Sequence, residues 1–268
     1  MQISEHPEFS FIFVNHRSAE PLERAVCSVR NSGIALGSTE IIIANNDPEE
    51  YARIKELGRR VDVRTVFLPE NRGFANAANV AAALANGKVL AFLNPDTEYV
   101  SGSFDYVSRF FETNKEVGVV GARLVSDTGL IEAWSAGQPL SLFRLIRNNV
   151  APRFSKRHWE YRRPNAVGWV SGGAMFVRRE TFDVLGGFDE RFFLYFEDMD
   201  LCTRARGTGF RTVLLPSIVF RHDGGSSFRS DVEKKRVYHD SQDRYFAYHR
   251  PRWERILFRI VRSRFLKI

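Results

Sequence analysis

The sequence predicts an α/β fold built on a mostly parallel sheet that is flanked by helices. Short apolar runs rich in β-forming residues alternate with helical patterns through the first hundred residues, and this alternation is typical of parallel, doubly wound sheets. Each run leads into polar residues. The chain has 268 residues, of which 44% are hydrophobic, so it is long enough to bury one substantial core.

The first half contains the clearest elements. The predicted strands cover residues 9–15, 40–46, 61–68 and 88–93, and the predicted helices between them cover residues 22–29, 51–57 and 75–85. Gly33 and Gly87 end the first and the third of these helices.

Polar side chains follow the predicted strands at the points where the strands end. These tips are Asn15, Asn45, Asn46, Asn71 and Asp96. Because ligands of open α/β sheets bind beyond the carboxyl ends of the strands, we expect these side chains to form one site.

The second half has a less regular pattern. The sequence predicts a helix over residues 104–113, an extended segment over 117–124, an irregular basic and aromatic connection over 140–163, and strands over 167–177 and 211–220. Gly172 and Gly173 interrupt the strand over 167–177, which indicates close approach of another backbone or of a ligand.

The stretch 186–204 combines five carboxylates with five aromatic rings. Aromatic walls desolvate a carboxylate and raise its pKa, which prepares the carboxylate to accept a proton. The acidic residues Glu197, Asp198 and Asp200 also open a helical pattern, where acidic side chains are common. The cluster is therefore either a catalytic base with its neighbours or an ordinary helix start, in which Asp200 pairs with Arg204.

Composition restricts the class of protein. No stretch approaches the roughly 20 apolar residues of a membrane span, and the first residues lack the pattern of a signal peptide. Cys27 and Cys202 fall in apolar helical patterns and indicate neither a disulfide framework nor a zinc site, so we expect a cytoplasmic protein. The net charge of +7 and the pI near 9.6 favour polyanionic neighbours such as nucleic acid, nucleotides or an anionic membrane surface.

Two further residues suit a metal-assisted reaction. Asp96 follows a buried strand, and a cation that bridges a diphosphate takes one or two such carboxylates; a helix cap or an Asx turn is the alternative. His222 follows the strand over 211–220, where a packed histidine is the alternative. The sequence lacks a Gly-x-Gly-x-x-Gly motif after the first strand and a Walker loop, which argues against a dinucleotide oxidoreductase and a P-loop NTPase.

The order of these motifs resembles the family 2 glycosyltransferases, and within them the bacterial rhamnosyltransferase-type members. The first half carries Val14-Asn15, Asn45-Asn46, Glu70-Asn71-Arg72-Gly73-Phe74 and Leu93-Asn94-Pro95-Asp96. The second half carries Trp169-Val170-Ser171-Gly172-Gly173-Ala174-Met175, the long motif from Gly187 to Arg204, and His222-x-Gly224-Gly225-Ser226. The likeness covers about residues 9–226 and implies a GT-A-type, Rossmann-like fold.

The resemblance implies a role for each motif residue. Asp198 matches the family's base, with Glu197 beside it, while Asp96 and His222 match ligands of Mg²⁺ or Mn²⁺. The donor nucleotide would contact Val14, Asn15, Arg17, Asn45, Asn71, Gly73, Asn79, Asn94 and Asp96, and the acceptor would contact Trp169, Gly172, Gly173 and Tyr195. Trp169 and Tyr195 could equally be core aromatics. Asn94 and Asn45 replace aspartates that are usual in the family, so modest metal affinity and an altered nucleoside contact are expected.

The resemblance also implies an inverting sugar transfer in cell-surface polysaccharide synthesis. The donor would be dTDP-rhamnose, with UDP-linked galactofuranose or another hexose as the alternative. The acceptor would be a saccharide or a lipid-linked saccharide, and nucleic acid is not an expected partner. A non-catalytic nucleotide- or carbohydrate-binding module is the alternative from another class. A sugar-phosphate nucleotidyltransferase would need a Gly-rich phosphate loop after the first strand, which is absent.

We divide the chain into a catalytic domain over residues 1–226 and a basic, amphipathic helical tail over residues 227–268. Within the domain, residues 1–97 would bind the nucleotide sugar and residues 98–226 the acceptor. Apolar residues fall near one helical face of the tail, among arginines: Trp253, Ile256, Leu257, Ile260, Val261 and Phe265. This pattern indicates a peripheral helix on the inner, anionic membrane surface, with packing on the domain or in a homodimer as the alternative.

Overall fold

A computed structural model describes residues 7–34, 38–61, 63–133, 135–150, 157–222 and 230–265. Within these ranges the chain forms one large sheet with helices on both faces, followed by two C-terminal helices. The predicted α/β class is therefore confirmed. None of the helices in these ranges is both long and apolar enough to cross a lipid bilayer.

The elements follow one another along the chain in an α/β order. The strands are β1 (Phe9–Asn15), β2 (Thr39–Asn45), β3 (Arg64–Phe67), β4 (Val89–Leu93), β5 (Thr97–Ser101), β6 (Val117–Val125), β7 (Ala136–Gly137), β8 (Asn165–Val167), β9 (Trp169–Val170), β10 (Ala174–Arg178) and β11 (Arg211–His222). The helices are α1 (Ala19–Arg30), α2 (Tyr51–Arg60), α3 (Phe74–Leu84), α4 (Phe104–Thr113), α5 (Leu142–Val150), α6 (Arg179–Leu185), α7 (Glu197–Gly207), α8 (Asp231–His249) and α9 (Arg252–Phe265). Short 3₁₀ turns lie at Pro48–Glu50 and His158–Glu160.

The first half of the sheet is parallel, with the strand order β3-β2-β1-β4. Along β1, Phe9, Phe11 and Phe13 belong to one apolar cluster, while Ile12 and Val14 belong to the other. Successive side chains of a strand point to opposite faces, and a strand buried on both faces needs a nearly continuous apolar run. The helices α1, α2 and α4 cover the first face, and α3, α6 and α7 cover the second.

The second half of the sheet pairs in both directions. β10 lies antiparallel between β4 and β6, while β11 runs parallel to β6 and antiparallel to β5 and β8. The strands β7 and β9 form a separate two-stranded sheet. The parallel order predicted from the strand–helix rhythm is thus present in the first half, and the sheet as a whole is mixed.

Most predicted elements occur within a few residues of their predicted bounds, and α4 occupies its predicted range. The segment 140–163 contains α5 and a 3₁₀ turn in its described part, where an irregular connection was predicted. The strands β5, β7 and β8 and the helix α6 were not predicted. β5 and β8 both pair with β11, far later in the chain, so the local pattern around them does not show their partner.

The helices α8 and α9 pack against α5 and against the segment that precedes α7. Phe258 of α9 stacks on Phe246 of α8, with ring centroids 4.0 Å apart and an interplanar angle of 5°. Both rings join an apolar cluster with Phe192 and Phe196, which precede α7.

The apolar face predicted for the tail is divided by this packing. Val261 is partly buried against the apolar cluster that contains Phe246 and Phe258. Four other residues of this face have exposed fractions between 45% and 62%: Trp253, Ile256, Leu257 and Ile260. The side chain of Phe265 lies outside the described residues. Most of the predicted face therefore remains open to solvent.

Candidate active site

A cleft of about 580 Å³ opens where the sequence predicts one site, at the carboxyl ends of β1 and β4. Eight residues proposed for binding or catalysis lie in its wall: Val14, Arg17, Asn71, Gly73, Asn94, Asp96, Tyr195 and His222. Glu233 and Lys234 of α8 line the same cleft. The wall thus combines both halves of the sheet with the tail.

Asn15 and Asn45 end neighbouring parallel strands and are buried behind this wall. Nδ2 of Asn15 donates to Oδ1 of Asn45 and to Oε2 of Glu50, both at 2.8 Å. Nδ2 of Asn45 donates to the carbonyl oxygen of Asp47 at 2.7 Å. These bonds hold the loops after β1 and β2 together, so the two asparagines support this wall of the cleft from behind.

Asn71 and Gly73 form a turn that joins the two sides of the cleft. Oδ1 of Asn71 accepts the N–H of Gly73 at 2.9 Å and Nδ2 of Asn46 at 2.7 Å. Gly73 has a φ of 94°, and a Cβ there would lie 2.3 Å from the carbonyl oxygen of Phe193. That oxygen accepts the N–H of Phe74 at 2.7 Å. Only glycine fits at this contact.

The loop after β1 places a cation in the cleft. Arg17 has a φ of 55°, and its buried Nε has no hydrogen-bond partner in the described part of the chain. A left-handed non-glycine residue and an unpaired buried donor both point to a ligand position. His16 also lines the cleft, although the strand-end pattern did not single it out. It directly follows Asn15, so the same rule would have included it.

Asp96 and His222 converge because β5 and β11 pair, with His222 opposite Thr97. Nε2 of His222 lies 3.5 Å from Oδ1 of Asp96 and 3.4 Å from Nδ2 of Asn94. On its other side, Nδ1 of His222 donates to Oε2 of Glu132 at 2.9 Å. Since a carboxylate only accepts, this bond places a proton on Nδ1, while Nε2 faces Asp96.

This arrangement suits a divalent cation that arrives with a diphosphate. Among the described residues, no group of three or more His, Cys, Asp and Glu side chains is arranged to hold a metal alone. Asp96 and His222 nevertheless offer one oxygen and one oriented nitrogen, and Glu132 supports the imidazole as metal-bound histidines are usually supported. Cations of this kind complete their coordination with phosphate oxygens and water, so the residues present fit the group.

Six further predicted site residues are not part of the cleft wall: Asn79, Trp169, Gly172, Gly173, Glu197 and Asp198. Trp169 is buried in the core, where its ring lies against Gly137 of the small sheet. Asn79 accepts the N–H of Phe188 at 2.9 Å and donates to the Phe188 carbonyl oxygen at 2.9 Å and to Oε1 of Glu190 at 3.1 Å. It therefore ties α3 to the turn before the acidic motif.

A strained turn positions the start of α7. Tyr195 and Phe196 have φ values of 68° and 67°, a conformation that costs roughly 1–2 kcal/mol for each residue with a side chain. Phe196 is buried, and Tyr195 lines the cleft. Burial and the nearby Glu197 raise the pKa of Tyr195 to about 12, so its phenol stays neutral.

Asp198 is held by the backbone on both of its carboxylate oxygens. Oδ2 accepts the N–H of Gly172 at 2.9 Å, and Oδ1 accepts the N–H of Met199 at 2.7 Å. Burial raises the pKa of the Asp198 carboxyl, and these two N–H groups oppose the rise. The result is an oriented carboxylate with increased basicity.

Glu197 occupies a more buried position in the same helix turn. Burial raises the pKa of its carboxyl well above the usual range, and the charges of Asp198 and Asp200 raise it further. Its Oε2 is buried and has no hydrogen-bond partner in the described ranges. Of the adjacent pair, Asp198 is therefore the better placed to carry the negative charge.

Asp200 has a structural role in this helix. Its Oδ2 accepts Nε of Arg204 at 2.7 Å, as the helix-start interpretation predicted, and its Oδ1 accepts Nε2 of His249 from α8 at 2.6 Å. Arg204 in turn donates to the carbonyl oxygens of Leu185 and Gly187. Asp200 thus connects the helix of Asp198 with the tail and with the turn before the acidic motif.

The glycine pair at residues 172 and 173 connects the carboxylate Asp198 with the Asp96 loop. Gly172 donates to Asp198, and the next residue, Gly173, accepts the N–H of Asn94 at 3.1 Å. A Cβ on Gly172 would meet the Asp198 side chain at 3.6 Å. The carboxylate and the candidate cation site are therefore fixed relative to each other through two backbone hydrogen bonds.

Comparisons with known proteins agree with this geometry. Residues 10–186 match the family model for Glycosyl transferase family 2. The chain belongs to that family and is a glycosyltransferase. The resemblance of the motifs to this family is therefore confirmed.

Two curated relatives are, by name, a rhamnosyltransferase and an O-antigen biosynthesis protein. The N-acetylglucosaminyl-diphospho-decaprenol L-rhamnosyltransferase of Mycobacterium tuberculosis is 28% identical over 236 residues, which cover 80% of this chain and 76% of the relative. The O-antigen biosynthesis protein RfbC of Myxococcus xanthus is 31% identical over 208 residues, which cover 72% of this chain but only 15% of RfbC.

Solved structures show the same fold. The mannosyltransferase PcManGT from Pyrobaculum calidifontis, solved in complex with GDP-Man and Mn²⁺, superposes with a TM-score of 0.60 at 15% identity. The alignment covers 92% of this chain and 65% of PcManGT. The predicted GT-A fold is thereby confirmed.

Proposed function

We propose that this glycosyltransferase is inverting and metal-dependent, and that it transfers L-rhamnose from dTDP-rhamnose to a saccharide or lipid-linked saccharide in cell-surface polysaccharide synthesis. The observation that carries the proposal is the pair of backbone N–H groups that orient Asp198 at the start of α7, three residues after Tyr195 in the cleft wall. The name of the mycobacterial relative supports the choice of sugar.

In the proposed reaction, Asp198 removes the proton from one acceptor hydroxyl. The acceptor oxygen forms a bond to the anomeric carbon while the bond from that carbon to the diphosphate oxygen breaks. The proton ends on the Asp198 carboxylate, and the nucleoside diphosphate leaves with the bonding electrons. The raised pKa of Asp198 favours this transfer because a stronger base accepts the proton more readily.

The leaving diphosphate needs positive charge on the opposite side of the cleft. Asp96 and His222 would hold Mg²⁺ or Mn²⁺, which when bound neutralises charge that develops on the departing oxygen. Arg17 adds a fixed cation from the loop after β1, and its unpaired Nε offers a hydrogen bond. Asn71 and Gly73 shape the wall against which the nucleotide would lie.

Calorimetry with dTDP, UDP and GDP, each with and without Mn²⁺, tests the donor side. We expect dTDP to bind more tightly with Mn²⁺, and we expect Asp96→Asn and His222→Ala to remove most of that gain. Asp105→Asn, an exposed carboxylate in the first turn of α4, serves as the matched control. A preference for UDP would favour the galactofuranosyl or hexosyl alternative. A folded protein that binds none of the three nucleotides would contradict the donor-site assignment.

Consumption of the donor tests the enzyme proposal directly. With dTDP-rhamnose and Mn²⁺ we expect release of dTDP and, with a suitable glycoside, a product of inverted anomeric configuration by NMR. Tight nucleotide binding without consumption of any nucleotide sugar would favour a non-catalytic binding module instead.

We further propose that the enzyme works peripherally on the cytoplasmic face of an anionic membrane. The exposed face of α9 carries Trp253, Ile256 and Ile260, and the neighbouring α5 exposes Phe143. Exposed arginines such as Arg259 flank this apolar surface. Apolar side chains bordered by cations are typical of helices that lie in the lipid interface.

A surface variant tests this attachment better than a truncation. Deleting α9 would remove Phe258 and the buried Glu254, both of which pack against the rest of the protein. We expect the triple change Trp253→Ser, Ile256→Ser and Ile260→Ser to abolish co-sedimentation with phosphatidylglycerol vesicles while preserving the melting temperature. Unchanged co-sedimentation would contradict the proposal, and a shift from dimer to monomer in ultracentrifugation would assign the face to a homodimer.

The division into residues 1–226 and 227–268 remains part of this proposal. Limited proteolysis that releases residues 1–226 in folded form would support it. The contacts between α8 and the segment before α7 predict that such a fragment loses activity.

A further inference from the structure

We infer that Tyr238 of α8 forms, together with Tyr195, a platform that binds a neutral pyranose ring of the acceptor next to Asp198. The inference rests on the proposed transferase function and names the substrate class on the acceptor side. The two rings meet edge to face, with centroids 5.7 Å apart and an interplanar angle of 64°. Tyr238 lies in the tail, where no motif pointed to a binding residue.

The platform lies at the turn that leads into the helix of Asp198. The ring of Tyr238 also contacts Phe196, with centroids 5.2 Å apart. Burial raises the pKa of the Tyr238 phenol, and the charge of Asp198 raises it further, so this hydroxyl stays protonated. The side chain is still 37% exposed, so part of the ring remains open to a ligand.

The position of Tyr238 on α8 places the platform beside the donor cleft. Lys234 lies one helical turn earlier and lines that cleft, and residues four apart share a helix face. Tyr195 lines the cleft as well. A ligand on the platform would therefore lie at the edge of this cleft, beside the turn that leads into the helix of Asp198.

The helix that carries Tyr238 is fixed along this part of the protein by a row of hydrogen bonds. Ser241 donates to the carbonyl oxygen of Leu194 at 2.7 Å, and the hydroxyls of Tyr245 and Thr203 are 2.9 Å apart. One further turn along, His249 bonds to Asp200 on the helix of Asp198, as described above. These contacts hold the ring of Tyr238 in a constant position relative to the carboxylate.

The chemistry of the platform selects a neutral sugar ring. A pyranose has one face of C–H groups, which packs on an aromatic ring, and an edge of hydroxyls, which bonds to polar groups. Two tyrosines provide an apolar surface and neutral hydroxyl groups in the same place, and Asp198 provides an acceptor for the reactive hydroxyl. An acceptor group with a negative charge at this point would be repelled by that carboxylate.

The test compares Tyr238→Ala and Tyr238→Phe with the control Tyr248→Ala. Tyr248 lies on the same helix, is 46% exposed, and contacts Phe192 and Arg191 away from the cleft. The probes are the p-nitrophenyl glycosides of glucose, galactose, mannose and N-acetylglucosamine at high millimolar concentration. Three quantities are measured: glycoside binding by ligand-observed NMR, transfer to the glycosides, and hydrolysis of the nucleotide sugar by water.

We expect Tyr238→Ala to raise the KM for the preferred glycoside by about tenfold, which corresponds to about 1.4 kcal/mol. Its NMR signal should weaken in parallel, while hydrolysis and nucleotide binding stay at the wild-type level. Tyr238→Phe should retain most of the binding because the ring remains, and Tyr248→Ala should behave as wild type.

Three results would overturn the inference: wild-type protein that gives no NMR signal with any glycoside, a Tyr238→Ala variant with unchanged glycoside binding, or a parallel loss of hydrolysis and transfer. Failure of the proposed function is a separate result. If no nucleotide sugar is consumed but the glycoside signal still depends on Tyr238, the sugar site stands and the transferase proposal falls.

Discussion

Replacing Asp198 by asparagine separates the chemistry at this carboxylate from its role in the fold. The carboxylate accepts two backbone hydrogen bonds, at 2.9 Å from Gly172 and at 2.7 Å from Met199. An asparagine keeps one acceptor and places an amide group opposite the other N–H. The loss of one partly buried hydrogen bond costs about 1–3 kcal/mol, and the removal of a buried charge offsets part of this cost.

We therefore expect Asp198→Asn to fold, with a net loss of about 1 kcal/mol in the free energy of unfolding, or about 2–4 °C in melting temperature. The rate of transfer should fall far more, by about 10²- to 10⁴-fold, because an amide cannot accept the proton of the acceptor hydroxyl. Binding of the nucleoside diphosphate should remain near the wild-type value, since the donor side of the cleft is unchanged.

The assay is the initial rate of nucleoside diphosphate release with the preferred glycoside, with calorimetry for donor binding and a thermal melt for stability. Asp189→Asn is the matched control, because Asp189 lies in the same stretch 186–204 but its carboxylate pairs with Arg191. That variant should transfer sugar at nearly the wild-type rate. If Asp198→Asn keeps a rate within tenfold of wild type, the carboxylate is not the base and the assignment is refuted.

Three further perturbations test neighbouring parts of the site. Burial raises the pKa of Glu197 in the folded state, so its protonated carboxyl favours folding below the unfolded pKa, and this contribution is lost as the pH rises through the folded-state pKa. Glu197→Gln should therefore raise the melting temperature more at pH 8 than at pH 5. An equal shift at both pH values would contradict a buried charge at this position. Gly73→Ala should lower the melting temperature and weaken nucleotide binding, because a Cβ would lie 2.3 Å from a carbonyl oxygen at Phe193 and the positive φ alone costs roughly 1–2 kcal/mol; a melt and a binding isotherm like those of wild type would show that the turn adapts. His249→Ala should reduce the free energy of unfolding by about 1–3 kcal/mol and lower kcat without changing the KM for the donor, because Asp200 loses one of its two partners. His249→Gln should restore part of the stability and part of kcat. An unchanged kcat in His249→Ala would show that the contact serves stability alone.

Several parts of the fold and of the site follow from local pattern alone. Continuous apolar runs define β1 and β4, since strands buried on both faces need apolar residues at every position. The rule that ligands bind at the carboxyl ends of parallel strands then places Asn46, Asn71 and Asp96 in one cleft.

Other parts depend on contacts between distant segments and leave little trace in local sequence. The buried amide of Asn15 donates to Asn45 and to the carboxylate of Glu50, which lies in the 3₁₀ turn after β2, 35 residues later in the chain. The mixed pairing of the second half depends on β10, which lies between β4 and β6, and on β11, which pairs with β5, β6 and β8. Tyr238 belongs to no recognisable motif, although the spacing of the aromatic residues Tyr238, Tyr245 and Phe246 is that of one helix face.

The row of hydrogen bonds between α8 and the segment around α7 affects the order in which the parts of the site form during synthesis on the ribosome. Chains fold from the N-terminus as they are made, so the sheet and the carboxylates of α7 are complete before α8 emerges. Until then Asp200 lacks its hydrogen bond to His249, and Tyr195 lacks its ring contact with Tyr238. The nucleotide half of the cleft would therefore mature first, and the ability to accept a sugar would appear only after α8 has docked.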